Sequence, residues 1–356
     1  MMARKKLEAK MTGLEMKGNR KVIEVIVPCY NEEKCVPLIY NTIKEIFETI
    51  DEYDFILTYV DDGSKDHTLN EIKKIAEENK RVHYISFSRN FGKEGAIYAG
   101  LSRSTGDYVA LMDADLQHPP ALLKDMIYAI EKEGYDCAAA RRVSRKGEPP
   151  IRSSFSRFFY FLIKKITGME MVQGSTDYRL MTRKVVKALI SMPESERFTK
   201  GLYAWVGFNT KWIEYENVER AAGQTKWSFG GLVRYACNGF MSFTTTPLRG
   251  VVYFGIIIMI ISLIYAIYIF VGALNNGSQG RTGYASLMVV LLFLGGVIIS
   301  ILGMIGEYLA RIYMEVKHRP IYIERESNIG EVTNTNIERS VIIHNTESER
   351  IENEER

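Results

Sequence analysis

The chain opens with short apolar runs that end in polar clusters. Val22–Val27 is largely β-branched and barely alternates, as a strand buried on both faces does. Asp54–Val60, Val82–Phe87, Tyr108–Met112 and Tyr135–Ala140 repeat the pattern. Between them lie stretches of helical character. These run from about Glu33 to Ile50, from the capping group Asp66-His67-Thr68 to about Glu78, and from Glu94 to about Leu101. Pro119 and Pro120 suit the first turn of another helix. Strands and helices alternating roughly every 25 residues predict a doubly wound, mostly parallel α/β sheet. Phe208–Val218 alternates enough to add a flanking strand.

The pattern then changes. Val251–Leu274 and Thr282–Gly306 contain no charged residue, and each exceeds the ~20 residues that cross a hydrocarbon core. With the short link Asn275–Arg281 they predict a transmembrane hairpin. Arg249 precedes it, and Arg311, Lys317, His318 and Arg319 follow it, whereas the link holds only Arg281. The positive-inside rule puts both ends, and hence the α/β domain, in the cytosol of a multi-pass cell-membrane protein. A homo-oligomer is compatible with so small an anchor.

These patterns divide the chain. Residues 1–20 form a basic tail, either solvated or in contact with anionic lipid, without the apolar core of a secretory signal. Residues 21–227 form the α/β domain. Within it, 151–167 interleaves Phe and Tyr with Arg and Lys, which suits a helix lying in a bilayer interface or a core helix with basic flanks. A juxtamembrane helix is expected over 228–249, spans over 250–274 and 282–308, and a basic juxtamembrane segment over 309–324. Residues 325–356, poor in large apolar side chains, read as a disordered tail.

Composition narrows the chemistry. Charged residues make up 25% and the net charge is only +3, which gives no case for nucleic-acid binding. The four cysteines are scattered, without Cys-x-x-Cys, as in a reducing compartment. The five histidines show no zinc-site spacing.

The polar clusters after the strands are chemically distinct. They are Asn31-Glu32, Asp61-Asp62-Gly63-Ser64, Arg89 with Lys93, Asp113-Ala114-Asp115-Leu116-Gln117, and Arg141-Arg142. Open α/β sheets bind ligands at this carboxyl edge. Asp-x-Asp with an amide oxygen nearby suits Mg2+ or Mn2+, whose natural partner is a pyrophosphate. An acidic turn that caps the next helix is the alternative. Lys93, between Gly92 and Gly95 at a helix start, can meet an anion or be a solvated surface lysine. In Gly174–Arg183, Asp177 and Arg179 by themselves read as a helix cap and a buried ion-pair arginine.

Pro28-Cys29-Tyr30-Asn31-Glu32-Glu33, Asp61-Asp62-Gly63-Ser64 and Asp113-Ala114-Asp115-Leu116-Gln117-His118-Pro119-Pro120 together resemble the motifs of family 2 glycosyltransferases with the GT-A nucleotide-sugar-binding fold. The resemblance spans residues 20 to 320 and is greatest to the polyprenyl-phosphate sugar transferases. It implies that Pro28, Tyr30, Glu32 and Asp61 hold uridine, with Lys93 and Asp113 beside the nucleotide. Asp113, Asp115 and Gln117 would hold the metal. Asp115 and Asp177 would be catalytic, Asp177 as base or as the group that orients the acceptor. Arg141, Arg142 and Arg179 would meet phosphate, and Arg220 and Lys226 would close over the diphosphate on a mobile loop. Cys29 departs from the small hydroxyl residue common there. The Gln-x-x-Arg-Trp of processive synthases is missing; Gln224-Thr225-Lys226-Trp227 has the wrong spacing and cation.

The implied reaction is inverting transfer of one sugar, glucose or N-acetylglucosamine, from a UDP-sugar to undecaprenyl phosphate at the cytosolic face. The lipid-phospho-sugar would serve cell-envelope glycosylation, with a flippase and a downstream transferase as partners. A membrane-anchored transferase acting on a sugar or polymer hydroxyl is the alternative. So is a non-catalytic scaffold for a flippase, against which the complete set of acids counts.

Overall fold

The computed structural model describes residues 20–143, 164–165, 172–216, 244, 246–276 and 283–330. The first half repeats a strand–helix unit: β1 (Lys21–Cys29), α1 (Cys35–Glu48), β2 (Tyr53–Asp61), α2 (Thr68–Glu78), β3 (Val82–Phe87), α3 (Lys93–Arg103) and β4 (Tyr108–Leu111). Then come α4 (Leu122–Glu131), β5 (Cys137–Arg142), β6 (Ser175–Thr182), α5 (Arg183–Ile190), α6 (Thr199–Trp205) and β7 (Thr210–Tyr215). The chain continues with α7 (Thr246–Asn276), α8 (Tyr284–Val316) and β8 (Glu324–Ser327).

Among the described residues the eight strands form one sheet in the order β7-β5-β6-β4-β1-β2-β3-β8. β4, β1, β2 and β3 are parallel. β6 runs antiparallel to both β4 and β5, and β7 lies parallel to β5 at one edge. Helices cover both faces, so the central strands are apolar on both. Ile23, Val25 and Val27 face Ile39, Ile43, Ile72 and Met126 of α1, α2 and α4. Ile26, Val60, Val109 and Leu111 face Ile97, Leu101 and Val185 of α3 and α5. A Cβ on Gly100 would lie 2.3 Å from Ile26 Cγ2, so glycine lets α3 approach β1 closely.

A buried acid interrupts the core at β1. Glu24 of β1 is buried, yet its carboxylate accepts bonds from Thr58 Oγ1 (2.7 Å), Thr105 N–H (2.7 Å) and Gly106 N–H (3.0 Å). A buried acid needs such donors, and these fix the turn into β4.

The elements differ from expectation in four places. α1 starts at Cys35 rather than Glu33. Asn31 and Glu32 donate their N–H groups to Ser64 Oγ and Thr68 Oγ1 of the neighbouring loop, which holds the segment out of the helix. α4 starts at Leu122, after the two prolines. Gly174–Arg183 is largely strand, inserted between β4 and β5. The flanking strand is confined to Thr210–Tyr215.

The tail differs as well. Residues 325–330 are not a disordered extension, because Glu324–Ser327 pairs antiparallel with β3. An unpaired sheet edge offers a row of N–H and C=O groups, and this segment takes them. Tyr322 stacks on Phe87 with ring centroids 4.9 Å apart. Lys73 pairs with Glu326 at 2.6 Å and Arg103 with Glu324 at 3.3 Å.

The windows Leu248–Tyr265 and Phe293–Val316, of mean hydropathy 2.2 and 1.8, are 0% buried within the protein. Side chains this apolar, turned outward on two long helices, mark a membrane-associated chain. α8 extends to Val316, through much of the expected basic juxtamembrane segment. Its end docks on the loop before α6: Arg311 pairs with Glu196, and Ser195 N–H donates to the Glu315 carboxylate at 3.0 Å. The expected basic tail up to residue 19 and residues 228–243 of the expected juxtamembrane helix lie outside the described residues. So does the expected interfacial helix, save the helical and exposed Lys164 and Lys165.

Candidate active site

Parallel β1, β2, β3 and β4 end at one rim, and antiparallel β6 starts there. Leu111 pairs with Arg179, so Asp113 and Asp177, each two residues further toward the rim, become neighbours. Lys93, in the first turn of α3, joins them. Its Nζ lies 2.6 Å from Asp113 Oδ1 and 2.6 Å from Asp177 Oδ2. Burial acts to lower the Lys93 pKa, but the two carboxylates outweigh it and hold the ammonium well above its ordinary value. Burial likewise acts to raise Asp177. Lys93 first, then Lys200, overcome it and hold the carboxyl well below its usual range.

The acid turn is tightly shaped. Leu116 has φ +54°, a left-handed conformation that costs a non-glycine residue about 1–2 kcal/mol. Gln117 N–H donates to Asp115 Oδ1 at 3.2 Å. The third group brought to the acids is His118. Asp113, Asp115 and His118 each offer a ligand atom, all within 4.8 Å of one another. His118 is only 7% exposed. Its ring lies against those of Tyr178 and Tyr215, at 5.9 and 5.7 Å. Burial pushes its pKa down against the pull of Asp113 and Asp115. Spacing alone gives the five histidines no zinc site. The available signal was a histidine three residues after Asp115 in the same turn. Two carboxylates and a neutral ring nitrogen, with the Gln117 amide adjacent, fit a divalent cation.

The expected uridine residues lie at the ends of β1 and β2. Pro28, Tyr30 and Glu32 are half-buried. Asp61 is fully buried, and its carboxylate accepts from Ser64 N–H (3.0 Å) and Ser86 Oγ (2.8 Å). Arg325, from the strand after the hairpin, donates to Ser86 Oγ at 3.1 Å. Asp62 does something its motif does not advertise. It accepts the N–H groups of Phe91 (2.6 Å) and Gly92 (2.9 Å), anchoring the loop that delivers Lys93. Burial raises its pKa to about 6, against the pull of those N–H groups. Gly63, at φ +65°, would place a Cβ 2.4 Å from the Arg89 backbone, so glycine lets these two loops touch. The Cys29 thiol is buried and donates to Val27 O at 3.5 Å.

The expected phosphate contacts diverge. Arg179 is 2% exposed, donates to Thr176 O at 3.0 Å, and stacks 3.2 Å over the Tyr203 ring. It is thus buried between a β6 carbonyl and an α6 ring, a setting that the ion-pair alternative does not describe. Arg141 bonds Gln173 O (3.2 Å) and Glu214 (3.3 Å) at the end of β5, next to the half-buried Arg142. Arg220 and Lys226 lie outside the described residues.

Comparison with known proteins agrees with this architecture. Residues 24–190 match the model of glycosyl transferase family 2, and residues 246–312 that of the GtrB C-terminal hairpin. The glycosyltransferase CsbB of Bacillus subtilis is 47% identical over 308 residues, 86% of this chain and 92% of that protein. Glycosyltransferase sll0501 of Synechocystis is 40% identical, covering 85% of this chain and 94% of its own length. The SfII prophage-derived bactoprenol glucosyl transferase of Shigella flexneri is 39% identical, over 86% and 99%. The chain therefore belongs to glycosyl transferase family 2, as a GT-A-fold glycosyltransferase whose catalytic domain is joined to a GtrB-type C-terminal hairpin.

Proposed function

We propose that this protein transfers one glucose from UDP-glucose to a polyprenyl phosphate, with inversion, at the cytosolic membrane face. The observation that carries the reading is the Asp113–Asp115–Lys93 cluster at the sheet rim of a chain that ends in two outward-apolar helices. The kinship with a bactoprenol glucosyl transferase supports glucose and a polyprenyl acceptor.

Each side chain then has a task. Pro28, Tyr30 and Glu32 receive the uridine, with Tyr30 offering a ring to the base. Asp61, fixed by Ser64 and Ser86, shapes the floor beneath it. Asp113, Asp115 and Gln117 would hold Mg2+ or Mn2+, which when bound would supply positive charge to neutralise a departing diphosphate. Lys93 presents a second positive charge beside that diphosphate. Asp177, its carboxyl held well below the usual range by Lys93 and Lys200, serves by positioning Lys93. The acceptor does not need a strong base, since a phosphomonoester has a second pKa of about 6 and is largely ionised at pH 7. Arg141 and Arg142 lie where an incoming anionic headgroup can be met.

The test uses the full-length protein in bilayer discs. It is offered radiolabelled UDP-glucose or UDP-N-acetylglucosamine, undecaprenyl phosphate, and Mn2+ or Mg2+. Glucose label is expected in the organic-solvent lipid fraction, and chelation is expected to abolish it. Label that stays aqueous while UDP is released points to a hydroxyl acceptor. No metal-dependent UDP release at all would leave the scaffold reading.

A further inference from the structure

Among the described buried side chains near the rim, His118 stands out chemically. Its Nδ1 has no hydrogen-bond partner, and the ring is 7% exposed. An unpaired polar atom in such a place costs roughly 1–3 kcal/mol unless something else satisfies it. One ring nitrogen lies within 4.8 Å of carboxylate oxygens of both Asp113 and Asp115. Tyr178 and Tyr215 hold the ring from two elements, β6 and β7, so its orientation is fixed before any ligand arrives. Lys93 engages Asp113 through Oδ1, and that bond does not use the other carboxylate oxygen.

We infer that His118 is a direct ligand of the divalent cation held by Asp113 and Asp115, and that its nitrogen biases the site toward Mn2+ over Mg2+. Mg2+ demands oxygen donors in near-ideal octahedral geometry and dehydrates reluctantly. Imidazole belongs to the donor set of first-row transition metals and not to that of Mg2+, and Mn2+, larger and less tightly hydrated than Mg2+, exchanges a water for a ring nitrogen more readily. Two carboxylates and a neutral ring balance the charge of a dication. The tyrosine wedge does for this ring what outer-shell partners do for metal-bound histidines elsewhere: it fixes the presentation of the nitrogen. The inference rests on the donor-site reading above and is tested apart from it.

The experiment is Mn2+ binding to the full-length protein in detergent with UDP, followed by electron spin-echo spectroscopy. Protein grown with 15N-histidine is compared with unlabelled protein. The expected result is a nitrogen coupling from one directly bound imidazole, which changes on labelling and disappears in His118→Leu. Mn2+ affinity in that variant should fall by at least about tenfold, while Mg2+ affinity changes little. Bound Mn2+ that shows no histidine nitrogen in the wild type would overturn the role of His118 and leave the donor site standing. Failure of the wild type to bind Mn2+ or Mg2+ with UDP would overturn both. Because the wild-type isotope comparison decides the matter alone, a misfolded His118→Leu protein does not rescue the inference.

Discussion

Lys93 sits between two carboxylates, and this fixes what each can do. Asp177 is ionised far below neutrality, so Asp177→Asn should leave the pH profile of transfer unchanged in shape. The rate should fall by about tenfold, through loss of a charge-assisted bond to Lys93. A profile that loses a basic group in this variant would revive the base role. Asp115→Asn should cost on the order of 100-fold or more in rate, with metal affinity reduced in parallel. Asp62 offers a pH test of its own. Its folded-state pKa, about 6, lies above the ordinary carboxyl value of 3.8. The proton it holds favours the fold below about pH 4, and that contribution disappears as pH rises through about 6. Relative to Asp62→Asn, the wild type should lose at most about 3 kcal/mol of stability across that window. A thermal-midpoint difference that stays flat from pH 4 to 6 would count against it. Asp113 and Asp115 were legible in the sequence because Asp-x-Asp follows an apolar strand. His118 and Asp62 were not. Their roles depend on Tyr178, Tyr215, Phe91 and Gly92, which only the folded chain brings near.

Among the elements, β1 to β5 were legible because strands buried on both faces are written as unbroken apolar runs. β6 was hidden. Its start, Ser175-Thr176-Asp177, and its buried Arg179 look like loop residues, and only Tyr178, Leu180 and Met181 carry strand character. β8, Glu-Arg-Glu-Ser, holds no apolar side chain at all and pairs through its backbone. Helix α3 also carries a requirement that propensity would misjudge. Gly100 is a poor helix former, yet its missing Cβ is what admits Ile26 and Val60. Gly100→Ala should therefore destabilise the protein by about 1–3 kcal/mol, despite alanine's higher helix propensity. A calorimetric scan that shows no loss would mean that α3 can lift off β1 freely.

The whole molecule joins its membrane and catalytic parts twice, through the end of α8 and through the strand that follows. Hydropathy made the hairpin plain, but it said nothing of where the chain goes next. Deleting residues 321–356 removes β8 and with it the Tyr322–Phe87 stack and the ion pairs of Glu324 and Glu326. The truncated protein should melt lower and aggregate through the bared edge of β3, as read by size-exclusion chromatography in detergent. It should also bind UDP more weakly, because Arg325 no longer supports Ser86 behind Asp61.

That closing strand also orders events in time. The ribosome makes β1 to β7 first, both apolar helices next, and β8 last. The sheet thus stays open on one side until both helices have been made. A chain that stops after α8 would lack β8 and leave the backbone edge of β3 bare. Completion of the sheet is in this way tied to completion of the apolar hairpin.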